Sequence, residues 1–201
     1  MTPLSTPPRP PKPPFILASA SPRRVALLDQ LGLSPDCIIP ADIDETPLPT
    51  ELPRQHAARL AESKARTIAE ENGGAIVLGA DTVVARGRRI FPKAEDEKTA
   101  RTCLALLSGE KHRVYGGVCI ITPGGDVIQR LVMTAISFKR LSHLETERYI
   151  ESGEWRGKAG GYAIQGRAAE FVQRLNGSYS NVVGLPLFET AQVLRGVGYS
   201  W

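Results

Sequence analysis

The stretch Leu17-Ala18-Ser19-Ala20-Ser21-Pro22-Arg23-Arg24-Val25 decides how the rest of the chain is read, because it turns an apolar strand into a helix. Phe15 to Ala18 read as a short buried strand. Ser21 then offers an N-cap oxygen and Pro22 fits the first helical position with its preset φ. Val25, Leu28 and Leu31 form the apolar stripe, and Gly32 stops the helix. A strand, a tight turn and a helix start leave backbone N–H groups and the positive end of the helix dipole facing the turn. Ser19, Ser21, Arg23 and Arg24 surround that turn with hydroxyls and guanidinium groups, so a phosphate chain is the expected guest. Taken alone, the segment reads equally well as a capped surface helix with two solvated arginines, and the remaining sequence has to decide.

Moving outward, Cys37-Ile38-Ile39 reads as a second short strand running into the acidic loop Asp42-Ile43-Asp44-Glu45-Thr46-Pro47. Loop acids are ordinary turn residues, but a carboxylate just past a strand end in an α/β sheet also lies where ligands bind, and Glu45 suits a hard cation. Pro53 opens a long amphipathic helix to about Glu71, with Ala57, Leu60, Ala61, Ala65 and Ile68 at helical spacing and Gly73-Gly74 as its stop. Lys64 borders that stripe, either snorkelling to water or sending its ammonium over a neighbouring cleft.

Ala75 to Ala85 is the most apolar strand in the chain, yet Asp81 and Thr82 stand in its middle. An ionised carboxylate buried without partners is costly, so Asp81 needs a cation, a set of hydrogen bonds or a cleft to face. A structural aspartate capping a turn or helix is the competing reading. Arg86-Gly87-Arg88-Arg89 reads as a hairpin turn leading to Ile90-Phe91-Pro92-Lys93, and Asp96 to Leu107 as a helix. His112–Thr122 and Val127–Phe138 read as a two-stranded antiparallel ribbon joined by Pro123-Gly124-Gly125-Asp126. Ser142-His143-Leu144-Glu145 is a capping box for a helix ending near Gly153. The glycine-rich run Gly157 to Gly166 lets backbone approach a ligand while Lys158 and Gln165 read it. It satisfies neither GxxxxGK[ST] nor GxGxxG before a helix. Phe171-Val172 reads as a strand and Pro186–Arg195 as the closing helix.

Composition narrows the class. At 201 residues, with 42% apolar and 23% charged residues, the chain is an ordinary globular sequence with one domain or two lobes and no apolar run near membrane-span length. A net charge of +4 suits an acidic small molecule or nucleic acid without deciding between them. Cys37, Cys103 and Cys119 are odd in number and widely spaced, which argues against a disulfide framework or zinc site and fits a reducing cytoplasm. Residues 1–14 are proline-rich, lack a signal-peptide core, and read as a flexible leader before a single two-lobed domain over residues 15–201. An RNA-binding module would need clustered aromatics that are missing.

In chain order, Ser19-Ala-Ser-Pro-Arg-Arg, Asp44-Glu45, Lys64-Ala65, Gly79-Ala-Asp-Thr-Val-Val, Leu107-Ser-Gly, Tyr162-Ala-Ile-Gln-Gly and Val182-Val-Gly-Leu-Pro-Leu resemble the Maf family of nucleoside triphosphate pyrophosphatases. The resemblance covers everything after the leader. Its Tyr162-Ala-Ile-Gln-Gly loop is similar to the branch acting on dTTP and UTP. The resemblance implies an elongated α/β fold, a mixed twisted sheet flanked by helices, with two lobes and a deep central cleft as in inosine triphosphatases. It also implies hydrolysis between the α and β phosphates, a divalent Mg²⁺ or Mn²⁺ ion, and frequent dimerisation. Carried over by position, Asp81 is the implied proton acceptor and a metal ligand, and Arg23, Thr82 and Gln165 are implied in substrate selection. Ser19, Arg24, Glu45, Lys64, Lys93 and Lys158 are implied to contact phosphate or metal. Three stretches depart from the family pattern: Pro92-Lys93-Ala94 replaces a usual Gly-Lys-Pro, Gly116 a common Thr, and Trp155-Arg156-Gly157 a usual Pro-x-Asp. The family's association with septum formation leaves a second reading, a division regulator that binds a partner without turnover.

Overall fold

The structure, a computed structural model, describes residues 12–201. The leader expected over residues 1–14 lies outside the described residues except for Lys12–Pro14. Those three sit against the body: the Lys12 ammonium is 4.3 Å from the centre of the Tyr199 ring, and the Pro14 carbonyl accepts from Ile76 N at 2.8 Å.

A mixed sheet forms the frame. Its first strands are β1 (Phe15–Ala18), β2 (Cys37–Ile38) and β3 (Ile76–Arg86), which run parallel with β1 in the middle. Beyond β3 the sheet continues antiparallel through β6 (Lys111–Ile121), β7 (Val127–Phe138) and β9 (Val172–Asn176). β4 (Arg89–Ile90) folds back on β3 as the expected hairpin, and β5 (Lys93–Ala94) pairs with β8 (Lys158–Ala159) in a separate small ribbon. The helices are α1 (Pro22–Asp29), α2 (Pro53–Glu71), α3 (Glu97–Leu107), α4 (His143–Ser152), α5 (Tyr179–Val183) and α6 (Leu187–Gly196).

Side-chain alternation along β3 explains how these helices are placed. Ile76, Leu78 and Ala80 face a core shared with Leu27 and Leu28 of α1 and Leu194 of α6, whereas Val77 faces Ala61, Ala65 and Ile68 of α2. Beyond Thr82 the strand enters a third core, where Val84 meets Leu104 and Leu107 of α3, Tyr149 of α4, Trp155 and Phe171. β3 thus runs from two of the cores into the third, and Asp81 and Thr82 lie where they give way to one another.

The sheet is incomplete at that point. β1 pairs with β3 only as far as Ala18 opposite Gly79, and β4 takes up the same edge at Ala85 opposite Ile90. Residues 80–84 of β3 therefore have no strand partner on that edge, a gap of about 17 Å at the usual rise per residue. The gap opens the cleft to both faces of the sheet, so Asp81 and Thr82 reach the same hollow although their side chains point oppositely.

Several expectations are corrected. His112–Thr122 and Val127–Phe138 do pair antiparallel as expected, but they are not a two-stranded unit, because β6 also pairs with β3 along nine residue positions and stands inside the sheet. Ser21 takes the N-cap position in extended conformation but makes no capping bond through its side chain. In α1 the buried residues are Arg24, Leu27 and Leu28, with Val25, and Leu31 just past the helix, only half-buried, so the buried stripe is rotated toward the cleft arginine. Phe171 ends a 3-10 turn (Arg167–Phe171), leaving the strand to begin at Val172. The segment after it holds an unexpected short helix, α5, whose Ser178 cap accepts from Asn181 N.

Candidate active site

Two glycines bring α2 directly onto the sheet. A Cβ at Gly79 would lie 2.2 Å from the Ala61 carbonyl oxygen, and one at Gly117 would lie 2.1 Å from that of Ala57. Because Gly117 is the register partner of Asp81, this close approach carries the next turn of α2 over the aspartate. Lys64 is buried there at 6% exposure and Asp81 at 6%, so neither charge is solvated in the ordinary way. They compensate each other: Lys64 Nζ donates to Asp81 Oδ1 at 2.7 Å. The same ammonium lies 2.6 Å from Glu45 Oε1, and Lys93 of β5 binds the other Glu45 oxygen. Asp81, Lys64, Glu45 and Lys93 therefore form a chain of alternating charge from β3 to the small ribbon. Burial alone would raise the Glu45 carboxyl, but the hydrogen bonds and charges of Lys64 and Lys93 prevail and hold it down at about 2. The snorkelling reading of Lys64 is thus replaced by a buried ammonium shared between two carboxylates.

On the other face of β3, Arg24 is 8% exposed and held by three hydrogen bonds. Its guanidinium donates to Ser19 Oγ at 2.7 Å, to the Gly184 carbonyl at 2.9 Å and to Thr82 Oγ1 at 3.3 Å. Burial pushes its pKa down, Asp81 and Glu45 draw it back up, and Arg23 adds to the lowering. Arg23 donates to the Val183 carbonyl at 3.2 Å, and burial lowers its pKa as well. The Ser19–Arg24 turn is tied down from within: Ser21 N donates to Ser19 Oγ at 3.2 Å and Arg24 N to Ser21 O at 3.1 Å. Arg24 is therefore a packed framework residue with one face on the cleft, and not a solvated surface arginine.

These groups line one cavity of about 490 Å³. Ser19, Ser21, Arg23, Arg24, Glu45, Lys64, Asp81, Thr82, Lys93, Lys158 and Gln165 all reach its wall, from six separate segments of the chain. Its volume suits a nucleotide-sized guest. Arg23, Arg24, Lys64, Lys93, Arg156 and Lys158 face Glu45, Asp81 and Glu95 across it, leaving an excess of three positive charges. A close ion pair gains roughly 4 kcal/mol at an effective dielectric of 20 against about 1 in bulk water, so this excess favours a polyanion here far more than on the open surface. Lys158, whose ammonium donates to the Arg156 carbonyl at 2.9 Å, has its pKa lowered by burial and then by Arg23.

Among the described residues no three Asp, Glu, His or Cys side chains gather into a ready-made metal cage. Glu45 and Asp81 nevertheless converge on a single cation, the Lys64 ammonium, with one oxygen each within 2.7 Å. Two hard carboxylate oxygens in a cationic cleft match the usual demand of Mg²⁺, which takes one or two carboxylates and completes its shell with phosphate and water. The donor set fits such an ion.

Four features of the site were missed in the sequence. Arg156 and Glu95 line the cavity, and the Val183 and Gly184 carbonyls anchor both arginines. His112 is buried with its Nε2 2.8 Å from the Tyr162 hydroxyl, which holds the stem of the loop carrying Gln165. Gly79 and Gly117 carry α2. Gly79, Tyr162 and the Val183-Gly184 pair stood within the stretches that carried the family resemblance, and Arg156 within one that departed from the family pattern, whereas nothing local marked Glu95, His112 or Gly117 as part of the site.

The chain matches the Maf family, described as Maf-like protein, over residues 14–197. It is 62% identical over 186 residues to the dTTP/UTP pyrophosphatase of Rhodospirillum rubrum, covering 92% of this chain and 89% of that protein. It is 58% identical over 187 residues to the dTTP/UTP pyrophosphatase of Caulobacter vibrioides, covering 93% and 97%. Among solved structures, a HAM1 protein from Coxiella burnetii aligns with a TM-score of 0.51 at 17% identity, covering 90% of this chain and 98% of that one, and shares the fold. The cleft, its residues and these relatives agree: this chain belongs to the Maf-like protein family.

Proposed function

We infer that this chain hydrolyses dTTP and UTP between the α and β phosphates, releasing the nucleoside monophosphate and pyrophosphate; relatives of 62% and 58% identity are named dTTP/UTP pyrophosphatases, which supports this reading. The observation that carries the reading is the convergence of Asp81 with Arg23, Arg24 and Lys64 on one cavity with a surplus of positive charge. In this reading Arg23, Lys93 and Lys158 receive the phosphates, while Arg24 holds Ser19 and Thr82 in place beneath them. Lys64 fixes Asp81 through Oδ1; no described residue donates to Oδ2, which is left to accept a proton from the attacking water. Positioning that water in line with the α phosphorus is the main task of the site. Glu45 and Asp81 would hold a Mg²⁺ or Mn²⁺ ion, which when bound supplies neutralisation of phosphate charge and polarises the phosphoryl centre. Gln165 would read the pyrimidine edge with an amide that both donates and accepts. A homodimer is proposed with it from the family resemblance, and its mass in solution tests that part.

The decisive experiment incubates the purified chain with the canonical ribo- and deoxyribonucleoside triphosphates and Mg²⁺, scoring pyrophosphate and orthophosphate separately. Pyrophosphate from dTTP and UTP is the expected product. Orthophosphate in its place would move the cut to the γ phosphate and overturn the reading. The same panel on Gln165→Ala should show purine triphosphates gaining on pyrimidine ones. No observation favours a non-catalytic division regulator, which has no need of a catalytic carboxylate in a cationic cleft.

A further inference from the structure

The cations of the cleft differ in how much of their hydrogen-bonding capacity is already used. Arg24 donates to Ser19, Thr82 and Gly184, Arg23 donates to Val183, Lys64 and Lys93 share Glu45, and Lys158 is bound to a carbonyl. Arg156 is the exception. It lines the same cavity, and no oxygen among the described residues accepts from its guanidinium or pairs with it. Nor is it loose: the guanidinium lies 4.6 Å from the centre of the Trp155 ring. Trp155 is 2% exposed and its Nε1 donates to the Ile150 carbonyl at 2.9 Å, so the indole is a fixed platform. Stacking on an aromatic face restricts the guanidinium without consuming its N–H groups.

The backbone places this arginine among the phosphate lysines. Gly157 N donates to the Ala94 carbonyl at 2.9 Å, and β5 pairs Lys93 with Ala159 and Ala94 with Lys158. Arg156 thus stands two residues before β8, at the start of the ribbon that presents Lys93 and Lys158, whereas Gln165 lies beyond Tyr162 in the chain. We propose that Arg156 binds the β and γ phosphates of the substrate, and hence the departing pyrophosphate, through the planar fork of its guanidinium. This rests on the polyphosphate reading of the cleft and adds to it a substrate contact that this chain makes with Trp155-Arg156.

Arg156 is exposed, so Arg156→Ala and Arg156→Gln should fold as the wild type does, which thermal unfolding checks. Both should raise KM for dTTP by about tenfold with a much smaller change in kcat, the pattern of a lost binding contact. Inhibition by pyrophosphate should weaken to a similar degree while inhibition by dTMP stays unchanged. Weakened dTMP inhibition with pyrophosphate unaffected would place Arg156 at the nucleoside end and overturn the proposal, as would no change in either. Titration calorimetry with pyrophosphate on wild type and variants decides the same point without turnover. Absent hydrolysis in the wild type would therefore defeat the functional reading while leaving this one measurable.

Discussion

Gly79 lies so close beneath Ala61 that a methyl group there would come within 2.2 Å of the Ala61 carbonyl oxygen and 2.7 Å of Ala65 N. The obstacle is helix backbone, which cannot rotate away as a side chain could. Gly79→Ala must therefore lift α2 from the sheet, and overpacking of this kind costs roughly 1–3 kcal/mol. Lys64 rides on that helix, so its 2.7 Å contact with Asp81 should lengthen as well. The expected result is a lowered unfolding temperature together with reduced pyrophosphate release. A variant with wild-type values of both would show that the close approach is dispensable.

Asp81→Asn tests the proposed proton acceptor itself. The amide keeps the size of the side chain but cannot take a proton at pH 7, and Lys64 retains Glu45 as a partner at 2.6 Å. Folding should survive. Loss of a general base typically lowers the rate by about 10²–10⁴, which should show in kcat more than in KM. Wild-type turnover by this variant would remove Asp81 from the chemistry.

How much of this was legible beforehand depended on the range of the interaction. α2 runs from Pro53 to Glu71 as its spacing demanded, because the period of a long amphipathic helix is a local property. Asp81 announced itself because a carboxylate inside an apolar strand must have a compensating partner. Alternation along His112–Thr122 reported which residues share a face but not which strands stand on either side, and so the pairing of β6 with β3 was invisible. Ser21 met every local requirement of a capping residue, yet its neighbour Ser19 became the oxygen that organises the turn, a choice set by Arg24 and Gly184 from outside the segment. Arg156 looked like a departure from the family pattern and gained meaning only when Trp155 and β5 gave it a position.

Glu45 gives the site a measurable acid limit. Its carboxyl is held at about 2, below the ordinary 4.5, because Lys64 and Lys93 outweigh the opposing effect of burial. A carboxyl depressed on folding contributes stability that is complete above its unfolded pKa and is withdrawn as pH falls through the folded one. Glu45→Gln should therefore be less stable than wild type at pH 7 in urea unfolding. The difference should shrink below about pH 4.5 and vanish near pH 2. A gap independent of pH would mean that Glu45 contributes by packing and not by charge.

His112 works in the same direction through a different cause and reaches the loop that carries Gln165. It is 2% exposed, its Nε2 lies 2.8 Å from the Tyr162 hydroxyl, its Nδ1 has no partner among the described residues, and burial pushes its pKa down from 6.5 to about 4. Between those values the unfolded chain holds a proton on this ring and the folded chain does not, so stability is lost as pH falls from 6.5 toward 4. His112→Gln keeps an amide able to bond the Tyr162 hydroxyl but cannot titrate. Its urea midpoint should change less than that of wild type between pH 6.5 and pH 4, and parallel curves would assign the acid sensitivity to other groups. Because Tyr162 lines the cleft three residues before Gln165, Tyr162→Phe, which removes only the shared hydroxyl, should also blur the preference for dTTP over purine triphosphates at pH 7. Retained preference in Tyr162→Phe would confine the His112–Tyr162 bond to stability alone.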